Sequence, residues 1–310
     1  MTAIDITGVT KRYGSETALE DLDLTVERGE IYGFLGPNGA GKSTTINVIL
    51  DFVRPTAGEV RVFGHDVAEE TLEVRERTGI LPEGTATYDR LTGRKHVEFA
   101  IESKGADDDP DELLERVGIA DAADKKAGGY SKGMTQRLMF ATALAGEPDL
   151  LILDEPSTGL DPNGARQMRE IIREENRRGA TVFFSSHIME QVEAVCDRVG
   201  ILRDGHLVAE DTVESLREAV PDQTQLRVQL DRIPDDTTTA LEAIESVDGV
   251  SEVSADGTTL VVACDNESKT SVLQTIEEHG VTVEDFKTDE SSLEDLFVAY
   301  TEGDTVEVSP

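Results

Sequence analysis

Hydrophobic positions in the first 35 residues form short alternating runs, which turn signals separate. Two such runs are Ile4 to Val9 and Leu22 to Val26, and the Arg28-Gly29 pair follows the second. Alternation with a period of two predicts antiparallel strands. The apolar run Ile31 to Leu35 predicts a buried strand, which leads through a glycine-rich turn into a helix from Ser43 to Phe52.

Between about residues 88 and 146 the hydrophobic pattern becomes helical. Candidate helices cover about 92 to 104, 110 to 117 and 134 to 146. Three helices between two strand-rich segments predict an inserted helical subdomain.

Strands and helices then alternate along the chain. Strands are predicted at 150 to 153 and 181 to 185, helices at 163 to 178 and 188 to 196, and a hairpin turns at Asp204-Gly205. This order predicts an α/β fold with a mainly parallel sheet that helices cover.

A shift in charge marks the C-terminal part, where the last 100 residues hold 25 acidic and 5 basic side chains. We expect a first domain at 1–215, a small split βαβ-type α+β domain at 223–302 and a loose tail at 303–310. Within the second domain the predicted elements are a strand at 226–230, a helix at 237–246, a hairpin at 250–264, a helix at 269–278, a strand at 281–287 and a helix at 291–300.

The composition is strongly acidic, with 64 acidic against 29 basic residues and a formal charge of −35. This balance argues against a nucleic-acid partner, because phosphate binding needs clustered Lys and Arg. Acid spread over the chain with few lysines also resembles the proteins of salt-loving microbes. No apolar stretch is long enough to span a bilayer, and no signal-peptide pattern begins the chain, so we expect a protein that is neither spanning nor secreted.

A phosphate-binding loop is the strongest chemical signal, since it fits G-x-x-x-x-G-K-[ST] between a predicted strand and a predicted helix. Glycines let backbone N–H groups surround anionic oxygens, the lysine reaches the outer phosphates, and the serine hydroxyl can bind Mg²⁺. The loop residues are Gly36, Pro37, Asn38, Gly39, Ala40, Gly41, Lys42, Ser43 and Thr44.

Two adjacent carboxylates, Asp154 and Glu155, end the apolar strand at Leu150 to Leu153. Successive strand residues point in different directions, so the two acids can have different roles. We expect Asp154 to bind Mg²⁺ through water and Glu155 to act as the general base toward the water that attacks the γ-phosphate. By itself such a pair is more often a solvated strand end; the phosphate loop favours catalysis.

The chain resembles the ATP-binding-cassette (ABC) ATPases over residues 1 to about 215. The segment Tyr130 to Arg137 matches the family's signature, Pro156 to Asp161 matches its D-loop, and His187 follows Ser185-Ser186 where the family has its switch histidine. The resemblance implies a P-loop cassette of a membrane transporter that hydrolyses ATP with Mg²⁺, and it counts Lys42 and Asp161 among the catalytic residues.

The resemblance also implies partners. In this family two copies dimerise head to tail, so that Ser131, Lys132 and Gly133 of one copy would close over the ATP held by the other. His187 would contact the γ-phosphate and hold Glu155 in line, and Tyr13 would stack on adenine. The dimer would lie at the cytoplasmic face of the membrane, beneath a multi-span permease.

Two departures from the family pattern concern Glu83, where Gln is usual, and the signature, where Lys132 and Met134 replace Gly and Gln. Glu83 can still supply an oxygen ligand to Mg²⁺. Both departures, and the C-terminal segment Ser291 to Phe297, resemble a branch of drug-resistance exporters. A soluble ABC ATPase acting on nucleic acid or ribosomes, and a regulatory module without turnover, are the alternatives.

Overall fold

The structure is a computed structural model and describes residues 1–84, 87–219, 223–232 and 237–290, together with Phe297. Contacts divide the chain into two compact units, Met1–Glu214 with Phe297, and Ser215–Leu296. The domain limits predicted from the sequence stay a prediction. No helix in the described part of the chain combines the length and the apolar character needed to cross a bilayer.

The described residues form strands in both units. In chain order the strands are β1 (Thr2–Tyr13), β2 (Glu16–Glu27), β3 (Ile31–Leu35), β4 (Ala57–Val62), β5 (His65–Asp66), β6 (Thr78–Leu81), β7 (Leu150–Asp154), β8 (Thr181–Ser186), β9 (Arg198–Arg203), β10 (His206–Thr212), β11 (Gln223–Leu230), β12 (Val250–Asp256), β13 (Thr259–Asp265) and β14 (Val283–Glu290).

Helices connect most of these strands, and short 3₁₀ turns add to them. In chain order the α-helices of the described residues are α1 (Lys42–Ile49), α2 (Thr71–Glu76), α3 (Gly93–Lys104), α4 (Pro110–Arg116), α5 (Lys132–Leu144), α6 (Pro162–Arg178), α7 (Met189–Glu193), α8 (Val213–Ala219), α9 (Thr237–Glu245) and α10 (Lys269–Glu278).

The first unit contains two sheets. An antiparallel sheet has the order β2-β1-β4-β5, and a mixed sheet has the order β10-β9-β3-β8-β7-β6. In the mixed sheet β9, β3, β8, β7 and β6 are parallel, and β10 joins the edge in the antiparallel direction. The predicted α/β fold, a mainly parallel sheet with an antiparallel β-subdomain and an inserted helical part, is confirmed.

Apolar strand residues bury the core of the first unit. Each residue of β3 and β7 is buried, as expected for parallel strands that are covered on both faces. The Phe183 ring packs between Tyr32 and Phe34, with centroid distances of 5.9 and 5.1 Å. This core fixes the carboxyl ends of β3, β7 and β8 next to one another, which is where a ligand binds in open α/β sheets.

Capping residues set the limits of the helices in the inserted subdomain. Thr92 caps α3 by accepting from the Lys95 N–H, and Gly105 ends it with a φ of 61°. Asp109 caps α4, whose first residue is Pro110. A side-chain acceptor before the first turn, proline within it and a left-handed glycine after the last turn are strong limits for a helix.

The second unit is a four-stranded antiparallel sheet with the order β12-β13-β11-β14. The helices α9 and α10 carry buried residues of its core, among them Ile244 and Val272, which pack with Leu226 and Val262 of the sheet. The strand and helix order is that of the predicted split βαβ arrangement. The helix predicted at 291–300 and the tail predicted at 303–310 lie outside the described residues, apart from Phe297.

Some predicted limits were wrong, and one region was missed. The helix predicted to reach Phe52 ends at Ile49, because Asp51 has a φ of 52° that a helix cannot continue. The helix predicted at 188–196 ends at Glu193. No element was assigned between Phe52 and residue 88, where β4, β5, α2 and β6 lie.

Candidate nucleotide site

Glycines shape the loop between β3 and α1. Gly39 and Gly41 have φ values of 87° and 113°, which other residues rarely adopt. A Cβ on Gly36 would lie 2.5 Å from the Leu202 carbonyl oxygen, so a side chain has no space there. The loop therefore holds a shape that turns backbone N–H groups and the start of α1 toward an anion.

Lys42 is the first residue of α1 and is buried. Its Nζ donates to the carbonyl oxygens of Gly36 and Pro37, at 2.5 and 3.2 Å. Burial lowers the pKa of Lys42, while the nearby carboxylates of Glu155, Asp154 and Glu83 act in the opposite direction. A phosphate would give this cation an anionic partner in place of its own loop carbonyls.

Asp154, the last residue of β7, is buried and pairs in register with Ser185 of the parallel strand β8. Among the described residues, Oδ1 of Asp154 and Oγ of Ser185 are buried side-chain atoms without a hydrogen-bond partner. Burial raises the pKa of Asp154, the nearby Ser185 hydroxyl acts in the opposite direction, and the carboxylates of Glu83 and Glu155 raise it further. An unpaired buried carboxylate oxygen suits a hard cation such as Mg²⁺, and the exposed Ser43 of α1 carries a hydroxyl that can serve as a further ligand.

Glu155 has a left-handed backbone, with a φ of 49°. This places its side chain away from the strand direction of Asp154. Its carboxylate is 6% exposed, and its Oε1 lies 2.8 Å from Nδ1 of His187, which donates when that nitrogen carries the proton. The histidine follows β8 and is 44% exposed, so solvent reaches the pair from the histidine side. A buried carboxylate that a histidine orients is suited to accept a proton from water.

The structure thus brings together Lys42, Asp154, Glu155 and His187, all predicted as site residues. Glu83 is an exposed residue, two positions after the end of β6. Its negative charge raises the pKa of both Lys42 and Asp154. Its role as a ligand of Mg²⁺ stays a prediction.

Tyr13 lies at the end of β1, is 47% exposed, and has one ring face occupied by Lys11, whose Nζ lies 4.9 Å from the centroid. An amino group over a ring face gives a cation–π contact. The opposite face of the ring can stack on a base.

The signature residues Ser131, Lys132 and Gly133 make their contacts outside the phosphate loop. Ser131 caps α5 by accepting from the Met134 N–H at 3.2 Å, and no hydrogen bond between described residues joins it to the phosphate loop. The Lys132 stem and Gly133 pack against Gly159, which follows Glu155 along the chain.

Asp161 caps α6, and its Oδ1 accepts from the Gly164 N–H at 2.7 Å. Its side chain is 70% exposed. The hydrogen bond is a reason to have Asp at this position that does not depend on catalysis.

Three residues of the site were missed in the sequence analysis. Ser185 could have been found, because strand pairing of β7 with β8 puts it beside Asp154. Gln136 is a buried polar residue of α5, and Lys11 covers Tyr13. Gln136 lies within the signature segment Tyr130 to Arg137, but its hydrogen bond to the Pro156 carbonyl, like the Lys11 contact with Tyr13, follows no spacing rule.

Two family models match the chain. Residues 19–158 match the model described as ABC transporter, and residues 212–301 match the model described as ATP-binding protein DrrA1-3-like, C-terminal domain. The second match covers the unit for which the sequence predicted an α+β accessory domain.

Curated relatives match along most of the chain. A bacitracin transport ATP-binding protein of Bacillus licheniformis is 37% identical, over 98% of this chain and 99% of its own. A linearmycin resistance ATP-binding protein of Bacillus subtilis is 32% identical over 94% of this chain and 96% of its own. A daunorubicin resistance ATP-binding protein of Streptomyces coeruleorubidus is 41% identical over 70% of both chains.

Solved structures of ATP-binding cassettes are also similar to this chain. The ATP-binding subunit of an ABC transporter superposes with a TM-score of 0.66 at 31% identity, over 70% of this chain and 92% of its own. A dimeric, post-hydrolysis ATP-binding cassette bound to ADP and Pi superposes with a TM-score of 0.64 at 26% identity, over 68% of this chain and 98% of its own. From the site, the family models and these relatives together, the chain belongs to the ATP-binding subunits of ABC transporters, as an ABC ATPase with a DrrA-like C-terminal domain.

Proposed function

We propose that this ATPase powers the export of an antibiotic-like small molecule through a separate membrane permease. The observation that supports the energetic part is the hydrogen bond between Glu155 and His187 near the buried Lys42, because a carboxylate that a histidine orients close to a cation suits proton transfer next to a phosphate. The direction and the substrate class come from relatives named for bacitracin transport and for daunorubicin and linearmycin resistance. Those names give the nucleic-acid alternative no support.

In this proposal, different residues bind the phosphates of ATP and activate the attacking water. Lys42 and the N–H groups of the loop bind the outer phosphates, Glu155 takes the proton of the attacking water, and His187 holds Glu155 in line. When bound, Mg²⁺ neutralises charge that develops on the phosphates. The described residues hold no group of three or more His, Cys, Asp or Glu side chains that could bind a metal by itself, so Ser43, Asp154 and Glu83 would share it with phosphate oxygens.

A second copy completes the site in this proposal. Ser131, Lys132 and Gly133 of one copy bind the γ-phosphate that the other copy holds, and Asp161 lies beside that contact. The cassette that superposes in a dimeric, post-hydrolysis state supports this arrangement. ATP then acts as part of the interface, so binding favours the dimer and hydrolysis favours its separation.

The permease is proposed to bind at an apolar cleft of about 580 Å³ between α3, α5 and β6. Large apolar side chains line this cleft, and four of them are more than half exposed to solvent. Such exposure is unusual for a chain this polar. They are Phe52, Leu72, Tyr88 and Phe99. A protein partner that covers them would hold the ATPase at the cytoplasmic face of the membrane.

We also infer that the protein works at high salt. The charge of −35 repels a second copy of the same chain, and concentrated ions screen that repulsion.

ATP turnover tests the energetic part. The Glu155→Gln protein should lose about 10²- to 10⁴-fold in kcat, the usual contribution of a positioned base, while still binding ATP. Glu147→Gln is the matched control, because Glu147 also has a left-handed backbone, with a φ of 46°, but is exposed and lies outside the site. Equal turnover of the Glu155→Gln and wild-type proteins would disprove the assignment.

Co-purification tests the transport part. The tagged chain is co-expressed with each multi-span membrane protein that a neighbouring gene is found to encode, and it is captured from detergent. Phe99→Ser in the cleft should abolish capture, while Phe286→Ser should not, although that phenylalanine of the second unit is also exposed. If Phe99→Ser leaves capture of the permease unchanged, the permease binds at another surface.

A further inference from the structure

A buried glutamine of the signature helix contacts the chain next to Glu155. Gln136 lies on α5 and is 7% exposed. Its Nε2 donates to the carbonyl oxygen of Pro156 at 2.9 Å, in a buried hydrogen bond. The acceptor belongs to the residue that directly follows Glu155, so this bond fixes the Pro156–Ser157 peptide, one residue beyond the base.

The backbone at Glu155 needs such support. A left-handed conformation in a residue other than glycine costs free energy and persists only where the surroundings enforce it. On one side, the Glu155 N–H donates to the Ser185 carbonyl at 3.0 Å. On the other, the Thr158 N–H donates to the Glu155 carbonyl at 3.1 Å. Gln136 of α5 adds a third hydrogen bond to this segment. Its donor is a side chain, whereas the other two bonds join backbone groups.

The first turn of α5 packs on the same loop. A Cβ on Gly133 would lie 3.0 Å from the Gly159 carbonyl oxygen, and a Cβ on Gly159 would lie 2.7 Å from Cδ of Lys132. The helix therefore contacts the segment from Pro156 to Gly159 at two levels. Five residues of helix, about 7.5 Å, separate Ser131 from Gln136. Because the helix and the loop are in direct contact, we expect a displacement of one to be transmitted to the other.

We infer that Gln136 is a positioning residue, which aims the Glu155 carboxylate and ties it to the helix that begins at Ser131. The inference rests on the proposed role of Glu155 as the base. It adds that the segment proposed to close over one ATP is joined, within the same chain, to the base that acts on the other ATP.

A purely structural role for Gln136 predicts different behaviour. In that case its amide only satisfies a buried carbonyl, and its loss would lower stability without acting through Glu155. The two roles separate in the kinetics, because a residue that acts through the base has no effect once the base is removed.

The first measurement compares Gln136→Met with Gln167→Met. Methionine keeps the length of glutamine but has no N–H donor. Gln167 is the matched control, since its Nε2 donates to the Arg116 carbonyl at 2.8 Å, away from Glu155. We expect Gln136→Met to lower kcat about 10- to 100-fold with KM and ATP affinity within about twofold of wild type, and the control to change none of these. Wild-type kcat in Gln136→Met would overturn the inference.

The second measurement is a double-mutant cycle with Glu155→Gln. The double variant should turn over ATP at the same residual rate as Glu155→Gln alone. A further drop equal to that of the single Gln136→Met change would show independent effects and would overturn the inference. Should Gln136→Met not fold, Gln136→Asn keeps a neutral amide but is one methylene shorter, so that its donor no longer reaches Pro156, and it is expected to behave in the same way.

The cycle also separates this inference from the proposed function. If Glu155→Gln keeps wild-type turnover, the base assignment fails and the positioning role fails with it. If Glu155→Gln is inactive while Gln136→Met is normal, or while the two effects multiply, the positioning role alone fails.

Discussion

Charged side chains at the nucleotide site are buried at a cost that a ligand can remove. Burial lowers the pKa of Lys42 and raises that of Asp154, so in each case the charged form is disfavoured. Such strain is typical of functional sites, where residues are chosen for binding and not for the stability of the free protein. Nucleotide and Mg²⁺ should therefore stabilise this protein strongly.

Asp154→Asn should stabilise the ligand-free protein at pH 7 by about 1 kcal/mol while preventing turnover with Mg²⁺. The folded pKa of Asp154 lies above the unfolded value, so the folded state binds the proton more tightly. The contribution of Asp154 to the free energy of unfolding therefore falls as the pH rises from the unfolded pKa to the folded pKa, and it stays constant at pH values above the folded pKa. The advantage of Asp154→Asn should grow as the pH rises from the unfolded pKa through the folded pKa of Asp154, as followed by denaturant unfolding. An advantage that shrinks with rising pH would contradict this.

Tyr13→Ala should weaken nucleotide binding up to about tenfold, the value of one aromatic stacking contact, with little change in kcat at saturation. Lys11→Met should have a smaller effect in the same direction, since the lysine contacts the ring without reaching the base. Titration with a fluorescent ATP analogue measures both. Tyr88→Ala serves as the control, because Tyr88 is exposed but lies in the apolar cleft. Unchanged affinity in Tyr13→Ala would remove the residue from the site.

At the scale of elements, α5 and β6 meet without space for a side chain. A Cβ on Gly79 would lie 2.0 Å from the Ala143 carbonyl oxygen, which is backbone and cannot move aside cheaply. Gly79→Ala should therefore destabilise the protein by about 1–3 kcal/mol. Gly129→Ala is the control, since a Cβ there would meet only the flexible Lys125 side chain, at 3.0 Å. Thermal unfolding compares the two, and equal melting temperatures would contradict the prediction.

Sequence patterns located most elements because their signals are local. The buried run of β3, the caps of α3 and α4 and the turn at Asp204-Gly205 each follow from a few neighbouring residues. The strands β4 and β6 were missed, since their exposed or glycine-containing sequences show no clear period. Helix ends such as Ile49 depend on a left-handed residue that no composition rule identifies.

The site was predictable to a different degree at each residue. The phosphate loop and Asp154 follow from motif and strand position, and the structure gathers them. Contacts between elements, such as that of Gln136 with Pro156, depend on how α5 packs and cannot be derived from spacing. The roles assigned to Ser131 and Asp161 concern a second copy, so the contacts within one chain leave them as proposals.

At the scale of the whole molecule, charge opposes association. Two copies that each carry −35 repel at low ionic strength, whereas at about 1 M salt the screening length falls to about 3 Å and only contacts in the interface remain. Most protein pairs that attract through opposite charges weaken under the same change. The dimer proposed here should behave in the opposite way.

Salt should therefore strengthen the ATP-bound dimer of the Glu155→Gln protein. Between about 0.1 M and 1 M KCl we expect the dimer Kd to fall at least about tenfold, a change of ~1.4 kcal/mol. Analytical ultracentrifugation with Mg²⁺-ATP measures it, and NaCl at equal ionic strength should give the same values if screening is the cause. The protein without nucleotide is the control, because it lacks the phosphates that join the two copies and should stay monomeric across the range. A dimer that weakens as salt rises would mean that attractive ion pairs, and not screened repulsion, govern the interface.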